Sequence, residues 1–153
     1  MPRLSVDSNV LIYTVDRQDW RHARAVEIMA RAVRADCVLS LQSVAEFYHV
    51  VTRKRITAAD EAESQVDDML ASFPGTIYDA TTMRDAIVAT RRHAIPFWDA
   101  MLWATIKAAG CRFLLTEDLQ DGRDLEGVRF VNPFDPANDA VIELILPGPP
   151  ARP

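Results

Sequence analysis

The fold is decided by the stretch LSVDSNVLIY at residues 4–13, in which a short apolar run is followed at once by an acid. Leu4 to Val6 has the length and composition of a buried strand, and Asn9 to Tyr13 has the spacing of a short helix. Asp7 therefore falls where a strand ends and a helix begins. An acid in that position either caps the helix or supplies a carboxylate at the carboxyl edge of a sheet, and both interpretations are open.

Apolar runs of strand length alternate with helical segments along the rest of the chain. The other predicted strands are Cys37 to Leu39, Thr76 to Tyr78, Arg112 to Leu115 and Val128 to Val131. The other predicted helices cover residues 20–34, 42–54, 58–73, 82–93 and 98–109. Because strands separated by helices favour right-handed crossovers, we predict an α/β fold: a three-layer α/β/α sandwich around a mainly parallel five-stranded sheet.

Several helix ends carry recognisable signals. Ser40 precedes the third helix, and Thr57 precedes the fourth with Asp60 in the capping-box position. Pro74 with Gly75 is expected to stop the fourth helix, and Gly110 the sixth. The segment 139–146 fits either a strand or a helix, and the sequence leaves that choice open.

Length and composition indicate one ordinary globular domain. The chain has 153 residues, of which 49% are hydrophobic and 25% charged, so collagen-like, coiled-coil and disordered classes are excluded. We predict a domain over residues 1–146 and a loose, Pro-rich tail over 147–153. Without a signal peptide or 18 consecutive apolar residues, we expect a cytoplasmic protein with no membrane contact. Cys37 and Cys111 are 74 positions apart and are expected to be buried small hydrophobes.

A second acid, Asp118, follows the fourth predicted strand just as Asp7 follows the first. Two separate loops would then deliver acids to the same sheet edge. Thr116 would add a hydroxyl group there, or merely cap. The alternative for Asp118 is a cap or a turn, since Asp118, Asp121 and Gly122 together are typical of a turn. Asn9 either orients Asp7 by a hydrogen bond or forms a local turn.

A third acid, Asp99, lies on the same helical face as Leu102 and Trp103. Burying an ionised carboxylate costs several kcal/mol unless it is paired or coordinates a metal. The alternative, a purely structural role, is a buried ion pair with Arg91 or Arg92.

A fourth acid, Glu46, lies one turn into the third helix, just past the second predicted strand. It is either part of the same site or an exposed helical acid, paired with Arg53 or with nothing. His49 completes a single Glu-x-x-His pattern, which without a second copy is not typical of a metal site. Three or four carboxylates at one edge would repel one another, and oxygen-only ligands favour Mg²⁺ or Mn²⁺. Phosphodiester hydrolysis fits such a site best.

Four short motifs in this order resemble the PIN-domain ribonucleases, especially the VapC-type toxins of prokaryotic toxin–antitoxin pairs. The resemblance runs from about Leu4 to Phe134, and its motifs are Val6 to Tyr13, Ser43 to Phe47, Phe97 to Ala100, and Leu115 to Gly122 followed by Asn132 to Phe134. It implies an α/β/α sandwich, Mg²⁺- or Mn²⁺-dependent endonucleolytic cleavage of RNA, inhibition by a cognate antitoxin, and pairing of copies into a homodimer.

The resemblance carries over to this chain residue by residue. The implied catalytic acids are Asp7, Glu46, Asp99 and Asp118. Of these, Asp7, Asp99 and Asp118 would hold the metal. The implied accessory residues are Thr116, Asn9 and Asp121.

The cations are candidates for contacts to RNA phosphates. The net charge of −5 argues against non-specific nucleic-acid binding, but 15 of the 17 cations are Arg, which suits bidentate phosphate contacts. The candidates are Arg21, Arg24, Arg53, Arg91 and Arg92, together with Lys54 and Arg55. The alternative for each of them is a solvated surface charge.

Other functions are open on the sequence alone. A haloacid-dehalogenase-like phosphohydrolase also has an Asp after its first strand, but requires an acid where this chain has Asn9. A non-enzymatic binding module would use the acids only structurally and would not depend on metal. A PIN-type nuclease could also act in RNA maturation rather than as a toxin.

Overall fold

The computed structural model describes residues 1–149 and 151, and within them strands and helices alternate as predicted. The elements in chain order are β1 (Leu4–Val6), α1 (Ser8–Tyr13), α2 (His22–Ala32), β2 (Leu39–Ser40), α3 (Leu41–Arg53), α4 (Ala59–Ser72), β3 (Gly75–Thr76), α5 (Ala80–His93), α6 (Phe97–Ala108), β4 (Phe113–Leu115), β5 (Asp124–Leu125), β6 (Val128–Val131) and α7 (Asp139–Ile145), with a 3-10 turn at Pro136–Asn138.

The sheet is mainly parallel, as predicted, although the expected five strands are only approximate. Four strands lie in the order β1-β4-β6-β5, and only the β5–β6 pair is antiparallel. β2 and β3 form a separate parallel pair, which an isolated bridge between Leu4 and Cys37 links to β1. All five predicted strands form at least in part. β5 is additional, since a turn with positive φ at Glu126 and Gly127 folds it back on β6.

Alternate residues of the central strands face two separate hydrophobic cores. Leu115 and Val131 pack with α1 to α4 and α7, whereas their neighbours Leu114 and Phe130 pack with α5 and α6. All four side chains are essentially buried. Because successive side chains of a strand point to opposite faces, helices cover both faces of the sheet. The predicted three-layer α/β/α sandwich is therefore confirmed.

Most predicted helix ends are observed, but the one at Thr57 is wrong. Ser40 caps α3 by accepting a hydrogen bond from the Gln42 amide at 3.2 Å, and Gly110 follows α6 with a φ of 84°. In contrast, α4 begins after Ala58, with no side-chain cap. The Thr57 amide instead turns back to the Val51 carbonyl, and its hydroxyl is buried without a partner among the described residues.

The orphaned hydroxyl of Thr57 leads to a stability prediction. Thr57→Val keeps the shape of the side chain and removes a polar group that is desolvated without a hydrogen bond. We expect the variant to be more stable by about 1 kcal/mol in urea unfolding. Ser40→Ala, which removes a hydroxyl that does cap a helix, is the matched control and should be less stable by about 1 kcal/mol. A Thr57→Val variant that loses stability would contradict this assignment.

The segment 139–146, for which the sequence allowed a strand or a helix, forms the helix α7. A buried arginine of α2 holds α7 in place. The guanidinium of Arg31 is fully buried and contacts Glu27 at 3.1 Å and Glu143 at 2.8 Å. Its Nε atom also donates to the Pro147 carbonyl at 2.7 Å, and Arg34 donates to the Gly148 carbonyl. The tail that we expected to be loose is thus held at its first two residues. Residues 150, 152 and 153 of that tail lie outside the described residues.

Two further expectations concern the cysteines and the membrane. Cys37 and Cys111 are both free and buried, as predicted, and burial raises the pKa of each thiol above its usual range. Among the helices that the structure describes, none is long and apolar enough to cross a bilayer.

Candidate active site

Asp7 and Thr116 meet because their strands are neighbours in register. Val6 of β1 pairs with Leu115 of β4, so the next residue of each strand lies at the same carboxyl edge of the sheet. There the Thr116 hydroxyl donates to Asp7 Oδ2 at 2.8 Å, and the Ser8 amide donates to Asp7 Oδ1 at 2.7 Å. Asp7 thus both caps α1 and presents a buried carboxylate, so the two interpretations of this acid are compatible.

Asn9 joins the two acid-bearing loops. Its amide nitrogen donates to Asp118 Oδ2 at 3.0 Å and lies 3.4 Å from Asp7 Oδ2. Thr116 fixes the same loop by accepting a hydrogen bond from the Asp118 amide at 3.2 Å. Asn9 therefore orients both carboxylates, and its own Oδ1 atom is buried without a partner in the described part of the chain.

Glu46 is tied to the same site by residues that the sequence did not single out. The Ser8 hydroxyl donates to Glu46 Oε2 at 2.8 Å, and Gln42, one turn earlier on α3, donates to Oε1 at 3.1 Å. Gln42 also donates to the backbone carbonyl of Trp98, at the start of α6. Glu46 is thus half-buried and held, and it is not the freely exposed helical acid of the alternative interpretation.

Asp99 lies in the first turn of α6, half-buried at the edge of the apolar face that includes Leu102 and Trp103. It forms no ion pair with any residue that the structure describes, so the pairing with Arg91 or Arg92 is not observed. An acid in this position, without a cation of its own, leaves the carboxylate free to take a ligand.

The four acids influence one another electrostatically. Burial, together with the negative charges of Asp118 and Glu46, raises the pKa of Asp7 to about 6 against the opposing hydrogen bonds from Thr116 and Ser8. Burial also raises the pKa of Asp99, with the same two acids contributing. Asp118 and Glu46 therefore lie close enough to influence both of the other carboxylates.

The donor set suits a hard divalent cation. Carboxylate, amide and hydroxyl oxygens are the ligands that Mg²⁺ and Mn²⁺ prefer. Across residues 1–149 and 151, no three carboxylate, imidazole or thiol groups form a ready-made metal cage. Mg²⁺ usually retains several waters, so a site built from a few carboxylates is consistent with this ion.

Asp121, predicted as an accessory residue, serves a different part of the structure. Its carboxylate accepts hydrogen bonds from the Asn132 amide at 2.8 Å and from the Asn138 side chain at 2.9 Å. These contacts brace the turn that leads into α7. Within the part of the chain that the structure describes, these hydrogen bonds do not connect Asp121 to the four acids.

The predicted phosphate-binding arginines are scattered, and two of them are already engaged within the chain. Arg24 contacts Glu27, Asp139 and the Pro133 carbonyl. Arg53 is exposed at the end of α3, while Arg91 and Arg92 are exposed at the end of α5. Arg92 lines a small cavity of about 170 Å³ that none of the four acids borders.

Arg21, the other engaged arginine, belongs to a network beside the acids that the sequence did not reveal. Its guanidinium lies 4.0 Å from the centre of the Tyr13 ring and contacts Asp19 and Glu117, each at 2.8 Å. The Tyr13 hydroxyl also donates to Glu117. Arg21 holds the pKa of Asp19 down at about 2. Since Glu117 directly precedes Asp118, this network anchors the loop that carries Asp118.

Comparison with known proteins identifies a family and several similar folds. The model of the PIN domain matches residues 4–121. The similar solved structures include VapC20 of Mycobacterium tuberculosis, a toxin that cleaves the sarcin-ricin loop. It is 19% identical with a TM-score of 0.63, over 75% of this chain and 91% of that chain.

Two toxin–antitoxin structures are also similar. VapBC2 from Rickettsia felis, bound to a DNA fragment from its promoter, is 13% identical with a TM-score of 0.61, over 85% of this chain and 98% of that chain. A toxin–antitoxin complex from Klebsiella pneumoniae is 17% identical with a TM-score of 0.62, over 86% and 98%. None of the curated proteins compared matches this chain. At these identities the likeness concerns the fold.

Proposed function

Because the chain belongs to the PIN-domain family, we propose that it is an endoribonuclease that depends on Mg²⁺ or Mn²⁺ and acts as the toxin of a toxin–antitoxin pair. The observation that carries the proposal is the grouping of acids at the carboxyl edge of a parallel sheet: Ser8 and Asn9 connect Asp7, Glu46 and Asp118 by hydrogen bonds, and the charges of Glu46 and Asp118 act on Asp99. In open α/β sheets, this edge is where ligands bind.

Asp7, Asp99 and Asp118 are the residues that would hold the ion. Two of them have pKa values raised by burial and by their acidic neighbours, which is a cost that a bound cation relieves. The unpartnered Oδ1 of Asn9 adds a buried oxygen to the same set. When bound, a divalent ion activates water and stabilises negative charge on a phosphoryl group.

The other residues of the site prepare it for water and phosphate. Thr116 and Asn9 hold Asp7 and Asp118 in fixed orientations. Glu46, held by Ser8 and Gln42, would accept a hydrogen bond from the attacking water and orient it. The histidines do not compete for this role: His22 contacts the Tyr13 carbonyl, His93 contacts Glu126 and His49 is exposed.

The toxin role and the antitoxin partner are supported by the kind of proteins that share the fold. These include a toxin that cleaves the sarcin-ricin loop and proteins from toxin–antitoxin complexes. RNA is the proposed substrate because the four motifs resemble those of ribonucleases. The phosphohydrolase alternative fails, since Asn9 donates its amide to Asp118 and cannot serve as an acid or base.

The test is a cleavage assay with the purified chain and single-stranded RNA, to which a divalent metal, EDTA and a candidate antitoxin are added in turn. We expect cleavage in Mg²⁺ or Mn²⁺, its loss in excess EDTA, and its return when Mn²⁺ is restored. The toxin role predicts a small reading frame next to this gene whose product suppresses cleavage. Unchanged cleavage in EDTA would contradict the metal dependence. Cleavage that the neighbouring product leaves untouched would favour a nuclease of RNA maturation instead.

A further inference from the structure

A groove leads away from the four acids across the end of α3. It begins as a cavity of about 450 Å³ bordered by Ser8, Asn9 and Asp118. A second cavity, of about 470 Å³, is bordered by Arg17 and Arg55. The two cavities have three lining residues in common, which are Asp16, Lys54 and Ile56. Because they share these walls, the two cavities are adjacent, and we call them together the α3 groove.

The walls of the α3 groove combine a few apolar side chains with free cations. Ile12, Val50 and Ile56 contribute apolar surface to its walls. Its cations Arg17, Lys54 and Arg55 are all exposed, and none forms an ion pair with a residue that the structure describes.

The charges of the groove are unevenly balanced. Its acids Asp19 and Glu117 both pair with the single cation Arg21. In the second cavity, which Asp118 does not border, only Asp16 and Glu61 oppose the three free cations. The second cavity, on the side of the groove away from the four acids, therefore has a net positive charge, although the chain as a whole is acidic.

The backbone fixes where these cations lie. Arg55 has a φ of 55°, in the left-handed region, and the Ile56 amide turns back to the Val51 carbonyl at 2.9 Å. This tight turn buries part of Ile56 against the core and leaves Lys54 and Arg55 together on the surface.

We propose that the α3 groove binds the single-stranded RNA segment on one side of the cleaved bond, with Lys54 and Arg55 contacting its phosphates and Arg17 extending the track. Apolar side chains next to free cations suit the bases and the phosphates of a single strand. This inference rests on the proposed ribonuclease function and names the path of its substrate. It also separates Lys54 and Arg55 from the other candidate cations, which lie elsewhere or are engaged within the chain.

The test is RNA binding in EDTA, so that cleavage does not interfere. The variant is Lys54→Gln with Arg55→Gln, and the probe is a labelled single-stranded RNA followed by fluorescence anisotropy. Each phosphate contact to a single strand contributes about 0.7 to the slope of log K against log salt. We expect the slope to decrease by about 1.4 and the affinity at 0.1 M salt to fall roughly 10- to 30-fold. Lys54→Arg, which keeps the charge, should bind like the wild type.

The matched control removes two charges at the opposite edge of the sheet. Arg112 directly precedes β4, and Arg129 lies beside it on β6; both are exposed. Arg112→Gln with Arg129→Gln should keep the wild-type slope. An equal loss of affinity in both double variants would mean that only net charge matters, and it would contradict the assignment of the groove to RNA. Unchanged binding by the Lys54 and Arg55 variant would also contradict it and would favour a protein as the ligand of the groove.

The two proposals fail in different ways. If the wild type cleaves RNA but the Lys54 and Arg55 variant binds it normally, only the groove assignment is wrong. If the wild type does not cleave RNA with any metal, the ribonuclease function is wrong, whatever the groove binds. Circular dichroism of each variant checks that exposed-site changes have left the fold intact.

Discussion

Replacing Asp99 by asparagine is expected to slow RNA cleavage at least about 100-fold while leaving the fold intact. Residues that merely support a metal ligand typically contribute 10- to 100-fold, so loss of a ligand itself should cost at least as much. Asp99 is half-buried, and its raised pKa reflects burial together with the charges of Asp118 and Glu46. Asparagine keeps the size of the side chain and removes the charge that would attract the ion.

The measurement is kcat/KM for RNA cleavage, together with Mn²⁺ affinity followed by titration calorimetry. Asp67→Asn is the matched control because Asp67 is an exposed acid on α4, away from the four carboxylates. It should cleave RNA and bind Mn²⁺ like the wild type. Full cleavage by Asp99→Asn in Mg²⁺ would contradict the assignment of this acid to the metal site.

Replacing Asp7 by asparagine should change how stability depends on pH. The Asp7 pKa is raised from 3.8 to about 6 in the folded protein, so the folded state binds a proton more tightly than the unfolded chain does. Between these two values the wild type loses stability as the pH rises, and it stays at the lower level above pH 6. The full loss amounts to about 3 kcal/mol, because one pKa unit corresponds to about 1.4 kcal/mol.

The variant lacks this titration, so its stability relative to the wild type should rise by about 2 kcal/mol between pH 4.5 and pH 7.5. Urea unfolding in EDTA at both pH values measures the difference, and Asp67→Asn again serves as the control. The asparagine also loses part of the hydrogen bonding to Thr116 and Ser8, but that loss affects both pH values alike. A difference that does not change with pH would contradict the raised pKa of Asp7.

The main features of the fold and the four acids could be predicted because each has a local signal. Asp7 directly follows one short apolar run and Asp118 lies three residues after another, and such runs become neighbouring strands whose ends share one edge. Asp99 is recognisable because it lies on an otherwise apolar helical face. The edge strand β5 had no comparable signal, since it has only two residues and depends on the turn at Glu126 and Gly127.

The supporting residues could not be predicted because their contacts join distant parts of the chain. Ser8 meets Glu46 across 38 positions, and Arg21 meets Glu117 across 96. No local periodicity carries such a pairing. The same limit explains Thr57, whose position before a helix suggested a cap, whereas a turn set by Val51 directs it elsewhere.

The buried guanidinium of Arg31 also decides where this domain can be shortened. A truncation after residue 146 keeps α7 but removes the Pro147 carbonyl, to which Arg31 donates at 2.7 Å. One donor of a fully buried cation would then have to find another acceptor or admit water. A cut after Gly148 keeps both this contact and the one from Arg34. The practical end of the folded unit is therefore residue 148, which lies 27 residues beyond the end of the family match.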